Sequence, residues 1–328
     1  MDNFYGLIYG QCIGDALGSR YEFLTSEEVK EKLQSDLKNG VLDILGNGFF
    51  KTEPGQITDD SEMALCILKV LAKYKKYSRT KIAKEYIKWF DTKPIDIGKT
   101  ISRAIFTRKK SKNKRDMVEI SQDLNYSSLS NGTLMRISPL ALLSSKISLK
   151  KLEKIVYKEC ELTHPNPLIK EVSWLYVLAM VQCFKNKTKE EIYETLIREC
   201  TSPKIYVVLR DAQVRAEPVV AWVSPEKVDF IKTDSASCQG YFAVAIQNAL
   251  YELMNGKDFE TSMINIIKRG GDVDTNCAIA GSLLGAFYGL KKIPTLWIDK
   301  IKNYKGSRSD LYPTNNLESI VDIITQKN

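Results

Sequence analysis

A single histidine, His164, stands among 328 residues. That scarcity excludes any metal centre built on two or more imidazoles, including the HExxH helix and multi-histidine zinc sites. A hydrolase made from this chain must therefore use carboxylates, a nucleophilic Cys or Ser, or a metal held through oxygen. The seven cysteines (Cys12, Cys66, Cys160, Cys183, Cys200, Cys238 and Cys277) are odd in number, scattered, and without a CxxC pair. They read as reduced thiols, most of them small core residues. No Pro/Gly/Ser-rich linker divides the chain, and no repeat of roughly 20–50 residues recurs, so a solenoid is not expected. The apolar runs are short: Trp174–Val181 falls well below the roughly 20 residues of a membrane span. The N-terminus, MDNFYGLIYG, carries an early acid and no basic n-region, so no signal peptide is expected. The expected compartment is the cytoplasm, and no membrane partner is expected.

What the sequence does hold is an ordinary globular balance. Apolar residues make up 44% and charged residues 27%, enough for a sizeable core, and the formal charge is +8. The dominant period is helical. In Ser61–Tyr74, Ala64, Leu65, Leu68, Leu71 and Ala72 fall along one side. Similar patterns run through Lys81–Phe90, Thr133–Leu143, Leu149–Cys160, Val172–Phe184, Lys189–Cys200, Tyr241–Met254, Phe259–Lys268 and Ala278–Leu290. Strand signals are confined to Val207–Leu209 and Val219–Val223, either of which also suits a helix or loop. The expectation is an all-α fold of about a dozen helices, a compact multi-helix orthogonal bundle forming a single domain over 1–328. The basic run Thr107–Arg115 and the irregular stretch Ala216–Ser237 read as solvated surface or insertions. A polyanion contact or a nuclear address is the alternative for the basic run.

Chemistry gathers where glycines and carboxylates meet helix ends. In Gly14–Glu22 (GDALGSRYE) a glycine-bracketed Asp15 closes the opening helix, and Glu22 follows just beyond the turn; alone, this is a helix C-cap with surface acids. Thr58–Asp60 (TDD) precedes an amphipathic helix beginning near Ser61. An N-cap accounts for one of those acids, not for two behind a threonine. Arg269–Thr275 (RGGDVDT) sets Asp272 and Asp274 at the head of a helix rich in Ala and Gly, a composition that lets another helix approach closely. Acids at the head of a buried helix repel unless a counter-ion joins them. Glu22, Asp59, Asp60, Asp272 and Asp274, with the hydroxyls of Thr58 and Thr275, form an all-oxygen ligand set. Such donors select Mg²⁺, Mn²⁺ or Ca²⁺, and four or five carboxylates suit two ions better than one.

In this order, GDALGSRYE, TDDSEM, NGTLMRISPL (131–140), TH (163–164) and GGDVDTNCAIAGSLLGAFYG (270–289) resemble the ADP-ribosylglycohydrolase family. The likeness runs from about residue 3 to about residue 302. It implies an all-α fold with two Mg²⁺ or Mn²⁺ ions in a central cleft, and hydrolysis of the bond joining ADP-ribose to an acceptor. It implies that Thr58, Asp59, Asp60, Asp272, Asp274 and Thr275 are metal ligands, and that Glu22 acts through a bound water. Glu22 and Asp59 both stand as candidates for base or general acid, and Asp96, in PIDIG (94–98), for the acid facing the acceptor. Asn131, Gly132, Thr133 and Met135 match the loop that wraps ribose and pyrophosphate. His164, Gly240 and Tyr241 match positions lining the nucleotide pocket. A helix cap is the plainer reading of Asp96 and of the 130–136 segment, and a core position that of His164 and Tyr241. Val273 stands where a second threonine is more usual in the family.

The expected partner is an ADP-ribosylated protein or a small ADP-ribose conjugate, taken by a monomer. Nucleic acid is not an expected partner. Two other readings stand beside the hydrolase: a catalytically inactive ADP-ribose-binding or structural relative, and a poly(ADP-ribose)-directed variant using the basic surface. The intact set of acids speaks against the first.

Overall fold

Two helices with glycines on their shared face organise the molecule. The computed structural model describes residues 1–110, 115–217 and 238–326, with the backbone of 221–222 and 228–229. The fold is all-α. Sixteen α-helices and two 3₁₀ segments account for the described secondary structure, apart from the two-residue strands Ala221–Trp222 and Val228–Asp229, which pair antiparallel. The amino-terminal helix, Asp2–Gly18, is buried from Gly6 onward, and the Val273–Tyr288 helix is buried from Val273 to Ala286. Both are buried on nearly every face and mostly apolar, as helices at the centre of a bundle are.

The contact between them is backbone to backbone. Gly6, Gly10, Gly14 and Gly18 recur every four residues, which aligns them along one face. A Cβ added at Gly6, Gly10 or Gly14 would fall inside the carbonyl oxygens of Gly285, Gly281 and Cys277 respectively. At Gly18 it would lie 2.5 Å from the Cα of Asp274. The pairing is antiparallel, so the C-terminal end of the first helix, with Asp15 and then Glu22, lies beside the N-terminal end of the second, with Asp272 and Asp274.

Further helices close around this pair, among them Asp59–Tyr74, Pro167–Phe184, Phe242–Asn255 and Phe259–Ile267. The buried apolar side chains join into one contiguous cluster. Pro167–Phe184 is long and apolar enough to cross a membrane by length and composition, yet it is mostly buried in the bundle. Its Tyr176 hydroxyl donates to Ile279 O at 2.7 Å, tying it to the central pair.

The two ambiguous strand signals resolve differently, and two other local expectations are corrected. Val207–Leu209 belongs to the Pro203–Asp211 helix, which opens on a proline at its first position under a Ser202 cap. Of Val219–Val223, only the backbone of 221–222 is described, and it is strand; the rest of that reading lies outside the described residues. Thr133–Leu143 is not one helix. It is the short helix Leu134–Ile137 followed by the 3₁₀ segment Ser138–Ser145, because Pro139 withholds a backbone donor at the junction. Sixteen helices rather than a dozen reflects short, charge-rich ones such as Ser26–Asp36, Lys99–Lys110 and Met117–Leu124. The basic run continues that second helix as far as Lys110, and residues 111–114 lie outside the described residues.

Candidate active site and metal centre

The two acidic helix heads are capped from outside by acids of the first motif. Asp15, fully buried, accepts from Thr58 N at 3.0 Å, from Thr58 Oγ1 at 2.8 Å and from Ser61 N at 3.0 Å. It does for the Asp59–Tyr74 helix what the Thr58 side chain, which makes no capping bond of its own, leaves undone. Glu22 accepts from Val273 N at 2.6 Å and Asp274 N at 3.1 Å, capping the second helix head in the same way. Asp59 and Asp60 thus lie inside the first turn of their helix, not ahead of it, and Thr58 is its N-cap. Asp272 is the N-cap of the other helix, with Asp274 and Thr275 in its first turn.

These cross-caps bring three distant segments together. Carboxylate oxygens of Glu22, Asp272 and Asp274 lie within 4.8 Å of one another. Asp60 feels the charges of Asp274 and Asp59, and Asp59 those of Asp96, Asp15 and Asp272. Burial, and then this mutual repulsion, pushes Glu22, Asp59, Asp60 and Asp274 well above the usual carboxylate range. Burial raises Asp15 to about 6, against the pull of its four hydrogen bonds, and raises Asp272 and half-buried Asp96 as well. Among the described residues, no Lys or Arg makes an ion pair with any of these acids.

Two details suit a cation at this place. Thr58 Oγ1 lies 2.8 Å from Asp15 Oδ1 and 2.9 Å from Asp60 Oδ2, but one hydroxyl proton serves only one acceptor at a time. Asp60 Oδ1 is buried and without a partner. A hard divalent cation would take up that lone pair and neutralise the cluster, and every donor around it is oxygen, so the residues fit Mg²⁺ or Mn²⁺.

The other expected residues form one wall of the same place. Asn131 Nδ2 donates to Asp272 Oδ2 at 2.7 Å, and Gly240 N donates to the same oxygen at 2.8 Å. Asn131 N in turn donates to Gly240 O at 2.9 Å, so the two loops are laced together beside Asp272. Gly240 has φ +74°, a conformation glycine adopts without strain. Tyr241 caps the Phe242–Asn255 helix, stacks edge-on against Phe242 at 5.0 Å, and bridges to Ser130.

Thr133 is fully buried with its hydroxyl unpartnered. Met135 is buried, its carbonyl accepting from Gln11 Nε2 at 2.6 Å, and Gln11 also reaches Asp60 O at 3.3 Å. His164 is fully buried beneath the 130–132 loop, with Nδ1 and Nε2 each 2.7 Å from a hydroxyl, of Thr163 and Ser130. Burial and the nearby Arg136 hold its pKa well below the usual value, so the ring is neutral. Gly132 is needed for His164: a Cβ there would lie 2.9 Å from the imidazole Cε1. Asp96 sits in the loop before Lys99, its Oδ1 accepting from Ile97 N at 2.7 Å, and its charge acts on Asp59.

Sequence reasoning missed Asp15 as an anchor, Gln11 as a strut beneath Asp60 and Met135, and the buried Arg136–Glu159 cluster behind His164. The signal for Asp15 was present in the four-residue glycine spacing around it. The signal for Arg136 was a cation inside the apolar stretch LMRISPL. A cavity of about 700 Å³ lies elsewhere, an apolar groove between Leu65, Trp89, Tyr312 and Ile320. It holds no converging acids, so chemistry and not volume identifies the centre.

Comparison with known proteins agrees with the geometry. The family model described as ADP-ribosylglycohydrolase matches residues 1–327. A protein of Acanthamoeba polyphaga mimivirus, named as an ADP-ribosyl glycohydrolase, is 30% identical over 319 residues, covering 94% of each chain. The ADP-ribosyl-[dinitrogen reductase] glycohydrolase of Rhodospirillum rubrum is 28% identical over 302 residues, 92% of this chain and 90% of that one. A solved structure titled ADP-ribosylglycohydrolase-related protein complex shares the fold, with a TM-score of 0.73 at 22% identity over 99% of this chain and 97% of the other.

Proposed function

Because the chain belongs to the ADP-ribosylglycohydrolase family, we propose that it hydrolyses the glycosidic bond between ADP-ribose and an acceptor, reversing ADP-ribosylation. The acceptor is a protein side chain such as Arg or Ser, or a small-molecule conjugate, and 1–328 acts as one domain. The observation that carries this reading is the buried cluster of Glu22, Asp59, Asp60, Asp272 and Asp274, drawn from three segments and given no cation by the protein among the described residues. Thr58, Asp59, Asp60, Asp272, Asp274 and Thr275 would hold two divalent cations, Mg²⁺ or Mn²⁺. When bound, they would supply Lewis-acid polarisation and lower the pKa of coordinated water.

The chain's own groups handle protons and position. In the reaction, the bond from the anomeric carbon to the acceptor breaks and a water oxygen bonds to that carbon. A carboxylate takes the water's proton, and a carboxylic acid protonates the leaving acceptor. Asp96, outside the ligand set and raised by burial, suits the donor, and its charge in turn raises Asp59. Glu22, fixed by two amide N–H groups beside Asp272 and Asp274, suits the acceptor of the water's proton. Asn131 and Gly240 steady Asp272, and the Asn131–Met135 segment with Gly240 and Tyr241 would receive the nucleotide. His164, neutral and buried, holds that segment from beneath.

The test is a panel of defined ADP-ribosylated peptides, with Arg, Ser, Cys and acidic linkages, incubated with and without Mg²⁺ or Mn²⁺. Release of ADP-ribose from at least one linkage, abolished by chelation, is the expected result. No release from any of them, with or without the cation, overturns the reading.

A further inference from the structure

Away from the acidic centre, the turn after the Asp59–Tyr74 helix meets the turn before the Leu149–Cys160 helix and encloses a groove of about 510 Å³. Six cations line it, Lys75, Lys76, Arg79, Lys146, Lys151 and Lys158, and no acid does. Two of the six are engaged: Lys75 Nζ donates to Ile323 O at 2.9 Å, and Arg79 pairs with Glu161 at 3.4 Å. Lys76, Lys146, Lys151 and Lys158 make no ion pair or hydrogen bond through their ammonium groups among the described residues.

A solvated surface ordinarily intersperses its charges. Ammonium groups gathered round a concavity instead repel one another and hold a standing positive potential. Lys151, Ile155 and Lys158 follow one another at helical spacing, so the Leu149–Cys160 helix presents this stripe as a wall. The floor is apolar, with Tyr77, Ile147 and Ile155. The Tyr77 hydroxyl donates to buried Glu159 at 3.2 Å, which holds its ring in place. The helix beginning at Arg79 sets its first turn, Arg79 and Thr80, at the same groove, and its N-cap, Ser78, makes no side-chain capping bond.

We propose that this groove is a second ligand site that takes a nucleoside diphosphate, with the diphosphate among the four unpaired lysines and the base over the Tyr77 floor. The cavity falls within the range of small-ligand pockets, about 300–1,000 Å³, which favours a nucleotide over a polymer strand. The site does not depend on the hydrolase activity.

Calorimetric titration tests it, run in chelator so that no divalent cation links the anion to the carboxylates. The probes are ADP, inorganic pyrophosphate and a short single-stranded oligonucleotide. ADP is expected to bind wild type and Asp272→Asn alike, and more tightly than pyrophosphate. Lys151→Gln/Lys158→Gln, both exposed positions, is expected to weaken ADP about tenfold or more with an unchanged melting temperature. The proposal is overturned by no ADP binding, binding that survives the double variant, binding lost in Asp272→Asn, or pyrophosphate as tight as ADP. Preference for the oligonucleotide over ADP overturns it in favour of a strand-binding surface.

Discussion

Two groups of carboxylates are buried in this bundle, and they are treated in opposite ways. Glu62 and Glu159 are fully buried, and each meets an arginine. Arg308 pairs with Glu62, which also accepts from Trp89 Nε1 at 2.7 Å, and buried Arg136 sits 3.4 Å from Glu159, which accepts from Tyr86 OH at 2.6 Å. Glu22, Asp59, Asp60, Asp272 and Asp274 are just as deeply buried and receive neutral donors: backbone amides, a threonine hydroxyl, an asparagine. Asp60 and Glu62 stand two residues apart in one helix turn, so the contrast is not a matter of region or depth. The fold supplies a guanidinium to Glu62 and Glu159 and, among the described residues, none to the acids of the candidate centre, where the proposed function would place a cation. Burying a charge without compensation costs several kcal/mol, so the omission marks a site.

Neutralising one acid in each group separates the two kinds. Asp272→Asn is expected to lower kcat/KM for ADP-ribose release by about 10³-fold or more, since under the proposed function it would remove a metal ligand and a charge. Its thermal midpoint without divalent cation is expected to hold or rise, because repulsion in the cluster falls. Activity within tenfold of wild type breaks the comparison. Arg136→Met should do the reverse in stability. It leaves Glu159 buried and unpaired, and a loss of about 3–5 kcal/mol in urea unfolding is expected. A loss under 1 kcal/mol would mean that Glu159 was never held as an ion.

Much of this contrast was legible before any coordinates, and the limits are instructive. The acids of the centre lie next to glycines and helix heads, a local pattern that marks Asp59, Asp60, Asp272 and Asp274 without knowledge of the fold. The role of Asp15 is not local. It caps a helix 43 residues away, and only the glycine contact between the first and Val273–Tyr288 helices sets it there. Gly132 was read as part of a loop that wraps ribose and pyrophosphate; what the fold sets against it is His164, from below. Arg136 and Glu159 stand 23 residues apart in different helices, so neither announces its partner. The short helices were missed because their charged faces mask an apolar stripe of only two or three residues, as Val29 and Leu33 show in Ser26–Asp36.

The uncompensated group also predicts a pH dependence. Folding raises Asp15 to about 6 and pushes Glu22, Asp59, Asp60 and Asp274 well above the usual carboxylate range, whereas in the unfolded chain such groups titrate near 4. From about pH 4 up through the raised values, the native state binds more protons than the unfolded one. Stability from this cluster is therefore fully present below about pH 4 and lost as pH rises. A divalent cation substitutes for those protons. The midpoint gain on adding Mg²⁺ or Mn²⁺, read by scanning fluorimetry, is expected to be several degrees larger at about pH 8 than at about pH 5. Equal gains at both values would show that protons and cation do not compete.

The smallest expected effect is the most discriminating. Thr133 is wholly buried, and its hydroxyl has no partner, close to Gly132 and the Asn131–Asp272 bond. An unsatisfied buried hydroxyl costs stability and returns none, so it is retained either by accident or for a ligand. Thr133→Val keeps the shape and removes the hydroxyl. If the group serves only packing, the variant should match wild type within about 0.5 kcal/mol and hydrolyse equally well. If it bonds the bound nucleotide, stability should again be unchanged or slightly higher, while KM for an ADP-ribosylated peptide rises by about fivefold to tenfold with kcat little altered. We expect the second result. The orphaned Thr133 hydroxyl would then be the neutral counterpart of the orphaned Asp60 oxygen: one left open for substrate, the other for the cation, in a protein that satisfies its structural acids from within.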